Sequence, residues 1–183
     1  MIDLRPLGEC DVAAHNAGED AAVVQWLTGS PATWDSTLGH FRMLASNAER
    51  GTGKRGFGVW LDDVLAGYVD FDLEDPDLPE PGDINIAYAV HPWARRQGVA
   101  TAAVLLLCER LRHLGAARRA IIRTHPSNGS SIGVARACGF RLVSAPGIDP
   151  TTCEAPVSIE DMIFALDLQT PGDGEQFSSR PPS

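Results

Sequence analysis

Apolar and polar residues alternate along several short stretches of the chain, a pattern typical of half-buried β-strands. The stretches are residues 1–7, 57–63, 64–73, 83–90, 119–125, 140–145 and 161–168. A two-aspartate break, Asp62 and Asp63, predicts a tight hairpin between the second and third stretches. Residues 74–83 are acidic and rich in proline, which predicts a loop before the fourth.

Four other segments have apolar residues at helical spacing: residues 11–27, 33–48, 99–114 and 128–137. The third is the clearest, with apolar side chains three or four residues apart and Gly115 at its end: Ala100, Val104, Leu107, Leu111 and Leu114. The order of these strands and helices along the chain predicts a mixed α/β domain over residues 1–168. Its single, mostly antiparallel sheet of about six to seven strands is flanked by helices and contains one parallel β-α-β unit around helix 99–114.

The remaining segment, residues 169–183, has almost nothing to bury, so we expect a disordered tail. No apolar run is long enough to span a membrane, and residues 1–11 do not resemble a signal peptide. The cysteines are widely spaced and form no metal-binding motif: Cys10, Cys108, Cys138 and Cys153. We therefore expect reduced thiols, no bound metal, no membrane partner and a cytoplasmic location.

Charge is distributed unevenly along the chain. The net charge is −9, which argues against nucleic acid as a partner. Residues 91–141 nevertheless contain nine arginines and a single acidic residue, Glu109. This balance indicates either a local anion-binding site or arginines spread over solvated helix faces and strand ends.

One arginine-rich segment lies where a predicted strand ends and the best helix begins. It comprises Arg95, Arg96, Gln97, Gly98, Val99 and Ala100. The first N–H groups of a helix have no partner within the helix, and the helix dipole adds partial positive charge there. A glycine lets a ligand reach the backbone, and the arginines add full charge, so the segment is consistent with a phosphate site. By itself, the pattern equally fits a helix cap beside surface charge. Neither the P-loop pattern nor the dinucleotide-binding glycine fingerprint is present.

This segment also resembles a known family motif. The strand end Val90-His91-Pro92 is followed by the arginine-glycine segment, and Asn128 opens a helix that ends in Gly139-Phe140. Together these motifs resemble the GNAT superfamily of acyl-CoA-dependent N-acetyltransferases. The Ser131-x-x-Val134-Ala135-Arg136 pattern is similar to the branch of ribosomal-protein N-terminal acetyltransferases.

The resemblance implies a GNAT fold and a set of contacts to acetyl-CoA, which would be a cosubstrate. The pyrophosphate would lie on the N–H groups of residues 95–100 and pair with Arg95 or Arg96. Pantetheine would run beside Tyr88, Ala89 and Val90, where a bulge parts the strand from its neighbour, and Asn128 would bind it through the side-chain amide. The alternative role of Asn128 is to cap its helix.

The resemblance also suggests how the acetyl group would be transferred. The N–H of Val90 would stabilise the oxyanion. Alanine replaces the usual tyrosine acid at position 135, so Ser131 would protonate the thiolate, unless it is only a polar first-turn residue. Asp70 and Asp72 share one strand face and are candidate bases, although an exposed sheet face would show the same pattern. Arg123 stands where some relatives have a glutamate base.

The predicted function is acetyl transfer from acetyl-CoA directly to a primary amine of a small molecule or of a protein N-terminus. The alternative is an acyl-CoA-binding regulatory or interaction module with little catalysis. The resemblance places acceptor contacts in residues 26–33 and 145–156, neither of which identifies the amine. The sequence leaves a monomer or a homodimer open.

Overall fold

A computed structural model describes residues 1–146 and 161–169. Seven strands form one sheet in the order β1-β2-β3-β4-β5-β7-β6. All neighbours are antiparallel except β4 and β5, as the sequence predicted. The strands are β1 Ile2–Arg5, β2 Arg55–Leu61, β3 Val64–Asp72, β4 Asp83–Val90, β5 Arg119–Thr124, β6 Arg141–Ser144 and β7 Met162–Asp167.

The helices are α1 Val12–Ala17, α2 Ala21–Val23, α3 Trp34–Arg50, α4 Val99–Leu114 and α5 Gly129–Ala137. The single helix predicted over residues 11–27 is wrong, because the chain breaks after α1. Asp20 has an extended backbone there, and its carboxylate accepts the N–H of Val23 at 3.1 Å, which caps α2. A π-helical turn, Val24–Thr28, then follows α2.

The two faces of the sheet are covered by different helices. Helices α4 and α5 pack on the face that carries Val69 and Phe71, and together they form the main apolar core. Neighbouring strand residues point to opposite faces, and Tyr68 accordingly contacts His15 of α1 on the other side, 5.1 Å between ring centroids. Helix α3 covers the same side, against β2.

The sheet opens in its middle. Strands β4 and β5 pair only from Asp83↔Arg119 to Asn85↔Ile121, although both continue beyond this point. The β3–β4 ladder, in contrast, continues without a register shift from Asp72↔Asn85 to Gly67↔Val90. The bulge expected in β4 is therefore absent, and the register shift of this region lies in β2–β3, between Val59 and Trp60. The strands part because β4 stays with β3 while β5 turns away with β7.

Much of the arginine surplus is used to hold the fold together. Arg119 donates two hydrogen bonds to buried Asp83, at 2.8 and 2.7 Å, and Arg123 pairs with Asp75 and Asp77, at 2.7 and 3.2 Å. These pairs tie the acidic loop before β4 to strand β5. Most of the local excess of positive charge thus reflects pairing with acids elsewhere in the chain, and only part of it contributes to an anion site.

The predicted disordered tail lies outside the described residues, except for residue 169, and so do Cys153 and most of the loop 145–156. Within the residues that the structure describes, no helix combines the length and apolarity needed to cross a membrane.

Candidate functional site

A cleft of about 1120 Å³ lies where β4 and β5 part. Its floor is formed by residues 85–90 of β4 and by residues 122–125, at the end of β5 and just after it. Its walls are the start of α4, the start of α5, and the segment formed by α2 and the π-helical turn. Residues from distant parts of the chain therefore meet in one open groove, a shape suited to an elongated ligand.

Strand β4 presents unpaired peptide groups to this cleft. The N–H of His91 donates to the carbonyl of Ala66 in β3 at 2.8 Å, next to the pair Gly67↔Val90. In an antiparallel ladder, successive N–H groups point to opposite sides of the strand. The N–H groups of Val90 and Tyr88 therefore point away from β3, towards the side that β5 has left. An amide-rich ligand could pair with this edge as an additional strand would.

The arginine-rich segment forms the turn that leads into α4. Gly98 caps the helix with φ 77°, and a Cβ built at this position would meet no other atom within 4 Å. Arg96 is also in the left-handed region, with φ 61°, and its side chain is exposed. Gln97 braces the turn by donating to the carbonyl of Trp93 at 2.9 Å. The helix N-terminus thus faces open space, with Arg96 beside it, as a phosphate site requires.

Arg95 has a different environment from Arg96. Its guanidinium donates to both carboxylate oxygens of Asp20, at 2.7 and 2.9 Å, and its Nε donates to the carbonyl of Val90 at 2.9 Å. These hydrogen bonds lower the pKa of Asp20 to about 2 and raise that of Arg95. Of the two arginines, Arg96 is the one without an ion-pair partner among the described residues.

Asn128 and Ser131 lie together at the start of α5. The side-chain oxygen of Asn128 accepts the N–H of Ser131 at 3.1 Å, so Asn128 does cap the helix, and the residue also lines the cleft. The hydroxyl of Ser131 lies 3.0 Å from that of Tyr88, which also contacts the Ser131 carbonyl at 3.3 Å. Burial raises the pKa of Tyr88 to about 12, so the phenol stays protonated near neutral pH. Sequence reasoning missed this pair because the two residues are 43 positions apart.

The candidate bases, Asp70 and Asp72, do not line the cleft. Asp70 is only 4% exposed, so the interpretation of an exposed sheet face is wrong for this residue. One of its oxygens has no hydrogen-bond partner, and Lys54 approaches it at 3.8 Å. Asp72 accepts the N–H of Glu74 at 3.0 Å and shapes the turn after β3. Asp70 in β3 lies opposite Ala87 in β4, and Ala87 does line the cleft. Asp70 is therefore on the strand next to the cleft floor.

We expect Asp70→Asn to stabilise the protein at pH 8 and not at pH 4. Burial raises the pKa of Asp70 from 3.8 to about 6. The protonated Asp70 side chain therefore makes its full contribution to stability below pH 3.8, and this contribution is lost as the pH rises through about 6. Removing the buried charge should increase the free energy of unfolding at pH 8 by about 1–3 kcal/mol. Thermal unfolding at both pH values measures this difference, with Asp72→Asn as the control. Equal effects at the two pH values would contradict it.

Another part of the cleft lining is aromatic. Trp26 of the π-helical turn stacks on His125, the residue after β5, with 5.6 Å between ring centroids. Two carboxylates also line the cleft: Asp161, and Asp77, which pairs with Arg123 at 3.2 Å. Sequence patterns gave no sign of this grouping, although Trp26 lies in a proposed acceptor segment.

His91, which follows β4, is buried, and its ring fills the space beside Gly18. Burial lowers its pKa. In the part of the chain that the structure describes, no group of three or more histidine, cysteine or acidic side chains is arranged to hold a metal ion.

Several solved structures share this architecture. RimL, a ribosomal-protein alpha-N-acetyltransferase solved with coenzyme A, superposes with a TM-score of 0.73 at 20% identity, covering 91% of this chain and 93% of RimL. The Salmonella typhimurium acetyltransferase that modifies the N-terminal serine of a ribosomal protein gives 0.72 at 20% identity, with 91% and 94% covered. The aminoglycoside acetyltransferase AAC(6')-Ib, solved with coenzyme A, gives 0.70 at 18% identity, with 91% and 95% covered.

These identities establish a shared fold and nothing finer. Comparison with curated protein sequences gave no match. The family model described as "Acetyltransferase (GNAT) domain" matches residues 2–141, which include the sheet from β1 to β5, the arginine-glycine turn and all of α5. The chain therefore belongs to the GNAT acetyltransferases, enzymes whose acyl donor is acetyl-CoA.

Proposed function

We propose that this acetyltransferase transfers the acetyl group of acetyl-CoA directly to a primary amine, carried by a small molecule or by a protein N-terminus. The observation that carries the proposal is the cleft between β4 and β5, whose lining includes both a phosphate-type turn and an aromatic group formed by Trp26 and His125. The neighbours with this fold include one that acetylates a protein N-terminus and one named for aminoglycosides.

The charges along the cleft support this orientation of donor and acceptor. Arg96 and the N-terminus of α4 suit the phosphates of acetyl-CoA. The lining also contains Asp161, the aromatic face of Trp26, and Asp77, which pairs with Arg123 at 3.2 Å. A protonated amine is attracted both to carboxylates and to aromatic faces. Asp161 and Trp26 are therefore the groups best suited to attract a cationic acceptor, while Arg96 suits the anionic donor.

Direct transfer is favoured because the described cysteines are poorly placed for an acyl-enzyme. Cys108 and Cys138 are buried in the core, which raises their pKa values to about 12 and about 11. Thiols with such pKa values are almost entirely protonated near neutral pH and are weak nucleophiles. Cys10 is exposed but is not part of the cleft lining.

The reaction then forms one bond between the amine nitrogen and the acetyl carbon and breaks the bond from that carbon to sulfur. The N–H of Val90, which faces the cleft, would stabilise negative charge on the acetyl oxygen. The Tyr88–Ser131 hydroxyl pair would supply a proton to the departing thiolate. The proton lost by the amine would leave through solvent or through Asp70.

A panel of amines incubated with acetyl-CoA tests the proposal. The panel should contain short peptides with free N-termini, the same peptides with blocked N-termini, polyamines and aminoglycosides. We expect thiol release and an equal amount of acetylated amine for at least one unblocked compound. Thiol release that is independent of the amine, or no acetylated product across the panel, would contradict the proposal.

We expect Arg96→Ala to weaken acetyl-CoA binding about 10- to 100-fold, because it removes a charge-assisted phosphate contact of about 1.5–3 kcal/mol. The loss should shrink at high salt, because exposed charges are screened. Calorimetry measures both effects. Arg112→Ala, at the other end of α4, is the matched control and should bind normally. Unchanged affinity in Arg96→Ala would mean that the backbone alone binds the phosphates.

We expect Ser131→Ala to lower kcat about 100-fold while the acetyl-CoA dissociation constant stays nearly the same. A proton donor to the leaving thiolate acts mainly in the transition state, so its loss spares ground-state binding. Steady-state kinetics and calorimetry give the two values, and Ser130→Ala in the same turn is the control. A lower Tm with an unchanged kcat would mean that Ser131 only supports the helix.

A further inference from the structure

The pair formed by Asp20 and Arg95 connects three separate parts of the cleft. Asp20 caps α2 through Val23 and receives two hydrogen bonds from Arg95. Arg95 lies in the turn before α4 and also donates to the carbonyl of Val90, the last residue of β4. One pair of side chains thus contacts the wall that carries Trp26, the turn before α4 and the end of strand β4.

Both side chains are held by several contacts at once. Arg95 uses three of its N–H groups, at 2.7, 2.9 and 2.9 Å, and a two-pronged contact to a carboxylate fixes orientation as well as distance. Asp20 uses one oxygen for both the cap and the arginine. The pair is only about one-third exposed, so its geometry is shielded in part from water.

The segment that Asp20 caps is short and partly exposed, and besides the cap it is held by the stacking of Trp26 on His125. Helix α2 is three residues long and leads directly into the π-helical turn. Trp26 and Leu27, at the end of this segment, are 37% and 38% exposed and lie on the cleft. Short helices are marginal on their own and depend on caps and tertiary contacts. The cap at Asp20 is therefore well placed to control where the Trp26 wall lies.

We infer that Asp20 and Arg95 act as positioning residues. When acetyl-CoA binds and orders the phosphate turn, this pair also orders the acceptor wall at residues 21–28. The inference rests on the proposed function, since it assigns the wall to the acceptor. In this account the donor orders the acceptor side before the amine binds. Arg95 acts through Asp20 and Val90, and Arg96 serves the phosphates.

Hydrogen exchange with coenzyme A tests this coupling without knowledge of the acceptor. In the wild type, we expect coenzyme A to slow amide exchange in peptides that cover residues 21–28. Asp20→Asn keeps an oxygen for the cap but loses the charge, so coenzyme A should bind at least as tightly as before while the added protection is lost. Asp35→Asn, an acidic residue at the start of α3, is the control and should retain the protection.

Three outcomes are distinguishable. No binding of coenzyme A to the wild type would overturn the proposed function and this inference with it. Binding with equal protection in the wild type and Asp20→Asn would mean direct contact of the ligand with α2, and would overturn the inference alone. Binding of coenzyme A to the wild type without slower exchange at residues 21–28 would also overturn the inference alone. If Asp20→Asn fails to fold, Arg95→Lys provides the same comparison, because it keeps the charge but loses the two-pronged contact.

Kinetics with an active amine should agree with the exchange result. We expect Asp20→Asn to raise the KM for the amine about tenfold and to leave the KM for acetyl-CoA within about threefold. Asp20→Glu should recover part of the loss. A loss confined to acetyl-CoA would instead place Arg95 on the phosphates and would overturn the inference.

Discussion

Gly98→Val should nearly abolish acetyl-CoA binding, with a loss of affinity of about 100-fold or more, equivalent to about 2.8 kcal/mol. Gly98 has φ 77°, and the space beyond its missing Cβ is open, at the N-terminus of α4. A branched side chain would fill the place where a pyrophosphate must approach the backbone. It would also strain the turn, which costs about 1–2 kcal/mol of stability. Calorimetry with acetyl-CoA measures the loss of affinity.

The other end of the same helix provides a matched control. Gly115 ends α4 with φ 58°, and a Cβ at this position would also meet no other atom within 4 Å, but Gly115 lies outside the cleft. Gly115→Val should therefore lower Tm to a similar extent and leave acetyl-CoA binding intact. If both variants bind normally, the pyrophosphate does not lie on this turn.

Val90→Pro should reduce kcat about 100- to 1000-fold, the usual effect of losing one oxyanion donor. Proline has no N–H, and the N–H of Val90 points away from β3, so the substitution spares the β3–β4 ladder. The Val90 carbonyl, which accepts from Arg95, is retained. Single-turnover rates and calorimetry separate the effect on chemistry from the effect on binding.

Two further variants make this result interpretable. Ala89→Pro removes an N–H that faces Tyr68 across the ladder, and it should lower Tm more than Val90→Pro does. Replacing the Val90 amide with an ester removes the same N–H without the proline ring and should reproduce the loss of rate. A normal kcat in both the ester and the proline variant would show that another group stabilises the oxyanion.

Local patterns predicted most of the fold. Helix α4 was predicted at its observed bounds because its apolar periodicity is strong and Gly115 marks its end. The strands were each found within a few residues, since alternation and turn residues are local signals. The helix predicted over residues 11–27 was wrong because the capping aspartate, Asp20, was interpreted as part of a continuous helix. An aspartate inside an apolar periodic segment is also a helix-cap signal, and here the cap determines where the helix breaks.

Contacts between distant residues could not be predicted in the same way. The arginine-glycine motif indicated the turn before α4, but it did not distinguish the ion-paired Arg95 from the exposed Arg96. Asp20 lies 75 positions from Arg95, and no local pattern records their pairing. Strand alternation placed Asp70 and Asp72 on one face, yet whether that face is buried depends on α3 and Lys54, which only the folded chain brings together.

Titration of the wild type with acetyl-CoA and with S-acetylpantetheine, which lacks the adenosine and pyrophosphate, tests the central claim most directly. If the cleft binds acetyl-CoA with its pyrophosphate on the turn before α4, acetyl-CoA should saturate a single site and S-acetylpantetheine should bind about 100-fold more weakly or not at all. Equal affinity for the two compounds, or no binding of acetyl-CoA, would contradict this account of the cleft.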